Sequence, residues 1–350
     1  MNASVRSSSY IFDPRPNYPM RLTATRYWDP ATSSPDGYTI VCAHATGFHK
    51  EHFEPTIHDL YAILPKSLKI REVWTVDAAN SGAAADLNEE YLRWGFDDVS
   101  SPSEVGWQEY GREMHAFLAG LGTGLDGVDS DFSKHRLVLV GHSFGAVAQI
   151  LAQTFHPQIT PEILILLEIT CYRPDDPRET SNYLAEGAAK RRDVWPSRDA
   201  AYEQFKSRQP WKGWDPRVLK LYVDHGLRPL PSLEYPHINE GVTLRCTRRQ
   251  ETATYRDRHG VATAYRTIAS IAHRVPTHLV YGAIANHLRP EQIDDFLDNG
   301  IGRARIASLR RVEGAGHLIV QTHPKVCAEI IVEILAKANA AGTPGTRSRL

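Results

Sequence analysis

The sequence predicts an α/β protein built on a mostly parallel sheet, and three observations carry that prediction. Apolar runs of strand length alternate with segments of helical period. Those runs are dense in Val, Ile and Leu, the composition of strands covered on both faces. One of them leads straight into Gly141-His142-Ser143-Phe144-Gly145 and then into a helical segment, so strand, sharp turn and helix follow one another without a break.

Taken in order, "SSYIFDP" and "RLTATRYWDP" near the start read as an antiparallel edge. The strands proper are read at 38–46, 71–78, 135–143, 162–170, 276–282 and 304–314, each ending in a loop. Covering helices are read at 107–120, 144–155, 290–298 and 324–338. The stretch from 171 to 274 breaks the alternation. It is rich in Arg, Trp and Pro and has helical rather than strand period, so it is expected to be a mainly helical cap inserted between core strands. The expected division is therefore a first core part over 1–170, the cap over 171–274, a second core part over 275–340 and a flexible tail over 341–350.

A chain of 350 residues with 42% apolar residues and a net charge of −1 can bury a full core. Balanced charge argues against a nucleic-acid partner, because phosphate binding needs a concentrated basic face. No run reaches the about 18 apolar residues of a membrane span, and the N-terminus lacks an apolar leader segment. Cys42, Cys171, Cys246 and Cys327 are too widely spaced for a metal or redox motif. No metal or redox cofactor is expected.

The motif Gly141-x-Ser143-x-Gly145 carries the chemistry. Small glycines permit a strained turn that holds a serine outward at the carboxyl edge of a sheet. The helix that follows aims its N-terminus at the same point, where the Phe144 N–H is free to stabilise an oxyanion. A second N–H is expected from the loop after an earlier strand, "CAHATGFHKEHFEP", at Thr46 or Gly47. His44 and His49 in that loop read as structural or pocket-lining. His317, in the Gly-rich loop "VEGAGHLIV" after the last strand, is the expected general base in the chain order serine, acid, histidine; His323, ahead of Pro324, is the weaker candidate. The acid is the puzzle: "VYGAIANHLRPEQIDDF", 280–296, is where it would usually stand, and its turn offers Asn286 and no carboxylate.

The elbow, the oxyanion loop and the Gly-His pair identify the chain as a member of the α/β-hydrolase superfamily. More narrowly, "AHATGFHKEHFEP", "WPSRDAAYEQF", "WDPRVLKLYVDHGL" and "VTLRCTRRQE" resemble the fungal peroxisomal α/β-hydrolases of secondary metabolism. That group includes toxin-biosynthesis hydrolases and a mycophenolic-acid-type acyl-CoA hydrolase. The resemblance implies an α/β-hydrolase fold and places the acid after the strand that follows the nucleophile helix, which here is Glu168 in "ILILLEITCY". Physical chemistry agrees, since a glutamate at the end of an apolar strand is costly unless paired, and His317 would pair it. Asp294, Asp295 and Asn286 remain the alternatives.

The expected activity is that of a serine hydrolase cleaving an acyl-CoA thioester or ester of a secondary-metabolite or fatty-acyl substrate through an acyl-enzyme, without a cofactor. His44, Phe48, His142, Trp195, Trp214 and Tyr222 are read as substrate-binding. The cap's Lys190, Arg191, Arg192, Arg198, Lys206, Arg208, Arg245, Arg248 and Arg249 are a possible grip for coenzyme A phosphates. Ser348-Arg349-Leu350 fits a C-terminal peroxisomal address, which implies an import receptor as partner. An acyltransferase or cyclase using the same acyl-enzyme, and a non-catalytic binding protein on this fold, are the alternatives.

Overall fold

The Val, Ile and Leu runs of the sequence become the middle of one eight-stranded sheet. The computed structural model describes residues 5–94, 106–176 and 181–342, so the Ser348-Arg349-Leu350 tripeptide lies outside the described residues. Eleven strands are described: β1 (Arg6–Phe12), β2 (Leu22–Trp28), β3 (Tyr38–Ala43), β4 (Ile70–Val76), β5 (Arg136–His142), β6 (Ile163–Leu167), β7 (Val194–Trp195), β8 (Leu227–Pro229), β9 (Val242–Leu244), β10 (Thr277–Gly282) and β11 (Ile306–Val312). The large sheet runs in the order β1-β2-β4-β3-β5-β6-β10-β11. β1 and β2 form its antiparallel edge, and β4, β3, β5, β6, β10 and β11 are parallel to one another.

Period-two alternation sends successive side chains of these strands to opposite faces. On one side Val41, Leu139 and Leu166 pack with Phe117, Val147 and Ile268 of three helices. On the other side Ile40, Val140 and Ile165 pack with Leu60 and Leu335. Both faces are thus apolar because both are covered, and each such side chain contributes about 1.5–3 kcal/mol on burial. β11 departs from the expectation of burial on both faces. It is an edge strand, most of its length is exposed, and Arg310 pairs with Glu333 outside the sheet. Charge on an edge strand discourages pairing with another chain.

Between β6 and β10 the chain forms the helices Ser181–Lys190, Arg198–Ser207, Pro216–Gly226 and Arg248–Arg256, plus a small antiparallel sheet ordered β7-β9-β8. Trp195, Phe205, Trp214, Val218, Tyr222 and Leu244 give this segment its own apolar cluster. Its large rings let a few residues bury a large area. The helix His259–Ala272 falls inside the expected cap range, yet its Val261, Ala264, Ile268 and Ile271 pack in the sheet's main core. Helical period alone does not say which layer a helix covers.

Candidate active site

The turn between β5 and the helix Phe144–Ala152 is built by its glycines. A Cβ on Gly141 would lie 2.4 Å from the Ala146 Cα, and one on Gly145 would lie 2.1 Å from the Ala43 carbonyl oxygen. Only glycine permits that approach, and the serine between them takes up the strain at φ 53°. Among the described residues, Ser143 and Glu168 are the two non-glycine positions with positive φ, Glu168 at 48°. Strain of this kind costs about 1–3 kcal/mol per residue and persists where the surrounding structure enforces it. Here the enforcement is visible: the Ser143 N–H donates to the Leu167 carbonyl at 3.0 Å and the Glu168 N–H to the Val280 carbonyl at 2.7 Å.

Because β5, β6 and β10 are neighbours in the sheet, their carboxyl ends meet. His317 arrives from the loop after β11. Its Nε2 lies 3.0 Å from Ser143 Oγ and its Nδ1 3.1 Å from Glu168 Oε2. The other carboxylate oxygen of Glu168 accepts the Gly282 N–H. With Nδ1–H donating to Glu168, Nε2 is left as an acceptor for the serine proton. Burial pulls His317 down to about 3, holding the imidazole neutral. Burial likewise raises Glu168, and the Gly282 N–H opposes that rise by favouring the carboxylate.

Asn286 does not face the imidazole. Its Oδ1 accepts the backbone N–H of His317 at 2.8 Å, fixing the loop. Asp294 pairs with Arg303 at 2.8 Å, and Asp295 accepts the Tyr265 hydroxyl at 2.8 Å. Neither touches His317.

A cavity of about 760 Å³ opens above Ser143, lined among others by Thr46, Phe48, Trp214, Tyr222 and His317. Three residues read as substrate-binding do not line it. His44 is locked in its loop, accepting the Ala78 N–H at Nε2 (3.0 Å) and donating from Nδ1 to the Ala45 carbonyl (2.9 Å). His142 donates from Nε2 to the His317 carbonyl at 2.8 Å and so ties down the loop that carries His317. Trp195 is 1% exposed and donates its indole N–H to Gln204 at 3.0 Å, inside the inserted segment's own core.

For the oxyanion, Phe144 heads its helix, where a first-turn N–H has no helical acceptor. Thr46 and its neighbour Ala45 border the cavity, while Gly47, at φ 73°, does not. A Cβ on Gly47 would lie 2.6 Å from the Glu251 carboxylate, so that glycine serves a close approach. His49 donates to Glu51 at 2.8 Å, beside a buried Lys50 to Asp77 pair at 2.8 Å.

The cap's cations are largely engaged. Arg191 grips Glu251 (2.9 Å) and the Tyr222 hydroxyl (2.6 Å), Arg245 pairs with Asp86 (3.0 Å), Arg248 with Asp193 (2.8 Å), and Arg198 donates to the Leu227 carbonyl (2.8 Å). Of the nine cations singled out in the sequence, Lys190 and Arg191 line the cavity.

Sequence reasoning missed two cavity residues in contact with this machinery. Thr170 Oγ1 lies 3.1 Å from Ser143 Oγ and 3.0 Å from His287 Nε2, and the His287 ring stacks on His317 with centroids 3.7 Å apart. A threonine at a strand end and a histidine in a loop have no spacing that announces them.

A parallel sheet whose elbow serine, histidine and glutamate converge at its carboxyl edge defines an α/β hydrolase. The sequence agrees: residues 40–330 match the alpha/beta hydrolase family, and the chain belongs to it. No curated protein sequence matches the chain significantly. Among solved structures, the fold is similar to the peroxisomal α/β-hydrolase Lpx1 of Saccharomyces cerevisiae, at 15% identity and a TM-score of 0.73 over 99% of this chain and 92% of that one. It is also similar to the thioesterase domain from the curacin biosynthetic pathway (14%, TM-score 0.62, 93% and 99% covered) and to an M. tuberculosis esterase (16%, 0.59, 95% and 92%). At these identities the likeness is one of fold. No helix among the described residues is long and apolar enough to cross a membrane.

Proposed function

We propose that the protein is a serine hydrolase acting through an acyl-enzyme, with Ser143 as nucleophile, His317 as general base and Glu168 as the orienting acid. The observation that carries this is the hydrogen-bonded chain from Glu168 through His317 to Ser143 at the floor of the 760 Å³ cavity. Ser143 Oγ attacks the substrate carbonyl as its proton passes to His317 Nε2. The N–H groups of Phe144 and Thr46 receive the oxyanion. Glu168 keeps the imidazole in the useful tautomer and stabilises the imidazolium. His317 then protonates the leaving group, and water repeats the cycle on the acyl-enzyme.

The aromatic lining from Phe48, Trp211, Trp214 and Tyr222 fits a bulky apolar or aromatic acyl group. The resemblance to fungal peroxisomal hydrolases supports a coenzyme A thioester of a secondary-metabolite acid, with an oxygen ester as the nearest relative. Lys190, lining the cavity with its side chain 79% exposed, is the cation best placed to meet a phosphate. The Ser348-Arg349-Leu350 tripeptide supports import into peroxisomes, where Lpx1 is also placed.

The test is thiol release from a panel of acyl-CoAs, run beside oxygen esters, with Ser143→Ala as control and product masses recorded. Ser143-dependent release of a free acid is expected. Thiol release without free acid moves the reading to acyl transfer, and no turnover together with no covalent capture of a fluorophosphonate by the folded protein overturns it. For targeting, a fluorescent reporter ending in residues 341–350 is expected in peroxisomes and to leave them when Leu350 is removed.

A further inference from the structure

We propose that Thr170 and His287 form a second hydrogen-bonded arm on the nucleophile, one that directs the Ser143 proton to His317 and steadies His317 as it becomes charged. The inference rests on the serine-hydrolase reading and adds two residues to it. Thr170 is 6% exposed and stands two residues beyond Glu168, on the same turn. Its hydroxyl bridges Ser143 Oγ at 3.1 Å and His287 Nε2 at 3.0 Å. A hydroxyl has one proton to donate, so a bridge of this kind has a direction.

With His287 donating from Nε2, Thr170 accepts and in turn donates to Ser143 Oγ. The Ser143 proton then has His317 Nε2, 3.0 Å away, as its acceptor. The reverse direction would turn the serine proton toward Thr170 and away from the base. Chains of hydrogen bonds polarise in one sense, which favours the productive one when His287 carries its proton on Nε2. In the attack the Ser143 O–H bond breaks and its proton goes to His317 Nε2, while the Oγ–carbon bond forms as the carbonyl π bond opens and its electron pair moves to the carbonyl oxygen. Thr170 keeps its own proton, and its hydrogen bond to Oγ counts while proton transfer to His317 runs ahead of bond formation and Oγ carries partial negative charge.

His287 has a second use. Its ring lies over that of His317, centroids 3.7 Å apart and planes 23° from parallel. A neutral ring face beside a forming imidazolium is favourable, whereas a second cation there would repel it. Burial and the neighbouring His317 both favour the uncharged form of His287. Thr170 touches a reacting atom; His287 is a positioning residue that acts through Thr170 and through the stack.

The experiment measures capture of a fluorophosphonate probe, resolved into the maximal rate of inactivation and the concentration for half-maximal rate. The proteins compared are the wild type, Thr170→Val, Thr170→Ser, His287→Phe and His287→Gln, each checked by thermal unfolding. Thr170→Val is expected to lower the maximal rate about 10-fold or more at unchanged half-saturation, the order expected for loss of one hydrogen bond to a partly charged oxygen. Thr170→Ser is expected to stay within about threefold of wild type, and His287→Gln, which retains an N–H donor, to exceed His287→Phe. A wild-type rate in Thr170→Val overturns the inference alone, as does a loss in Thr170→Ser equal to that in Thr170→Val. A wild type left uncaptured at Ser143 overturns the hydrolase reading with it. Should Thr170→Val not fold, the His287 pair decides: equal rates in both, at the wild-type level, overturn the arm.

Discussion

Two turns face each other across His317, and they divide the work of a single site in an unexpected way. The turn after β6 carries Glu168 at positive φ, with one carboxylate oxygen on the imidazole and the other on the Gly282 N–H. The turn after β10 directs no carboxylate at His317; it supplies Asn286 to the His317 backbone and His287 to the face of its ring. β6 and β10 are adjacent parallel strands in register, with Leu167 opposite Val280. Moving the acid from one strand end to the next is therefore a shift of about 4.8 Å, which a glutamate can span. On the proposed roles, distance to Nδ1 rather than position in the chain selects the orienting acid, and the β10 turn, without that task, holds the His317 backbone and ring face.

Glu168→Gln is the substitution expected to cost most at these two turns. The isosteric amide keeps the shape and loses the charge, so the reaction rate is expected to fall about 10³–10⁴-fold, measured as Ser143-dependent turnover or probe capture. A loss under tenfold would place the acid elsewhere.

A pH profile sharpens the same point. His317 must be neutral to accept the serine proton, and burial pulls it down to about 3, below the ordinary histidine value of 6.5. Glu168 must be ionised, and burial raises it from the ordinary 4.5. Lowering of the base extends activity toward acid, and raising of the carboxyl limits that extension. The rate is expected to be flat through pH 6.5 and to fall only at lower pH; an acid limb centred at 7 or above would show an imidazole that is not held neutral.

The β10 turn is the next lever. Asn286→Ala removes one acceptor from the His317 N–H, and a net hydrogen bond of about 1–1.5 kcal/mol corresponds to a loss of about tenfold in rate. Gly316→Ala is expected to act in the same sense, because a Cβ there would lie 2.5 Å from the Asn286 amide nitrogen. Both are read against thermal unfolding, and rates equal to wild type would mean that the loop is held by other contacts.

How much of this was legible follows from what each residue needs. The turn at Ser143 is local: its glycines, strand and helix are contiguous, so a short motif describes it. Glu168 was legible because a charge ending the run "ILILLE" conflicts with burial and requires a partner. Thr170 and His287 were not, because their roles arise only when β5, β6 and β10 are placed side by side. Trp195 was assigned to the cavity for the same reason in reverse: an aromatic in the inserted segment serves its core or the ligand, and composition does not separate the two. The helix His259–Ala272 and the exposed β11 show the same limit, since layer and edge are properties of the assembled sheet.

Asp294 and Asp295 are the carboxylates that chain order alone would favour, and both are engaged away from the cavity. Asp294 is 60% exposed in its pair with Arg303, and a pair so open to solvent adds little to stability. Asp295 accepts from Tyr265 at 2.8 Å and from Asn299 at 2.8 Å, on the far end of its helix from His317. Asp294→Asn and Asp295→Asn are each expected to leave turnover within about twofold of wild type, with only a small change in melting temperature for the second. A loss of tenfold or more in Asp295→Asn, beside a mild Glu168→Gln, would return the acid to the β10 side and reverse the roles assigned to the two turns.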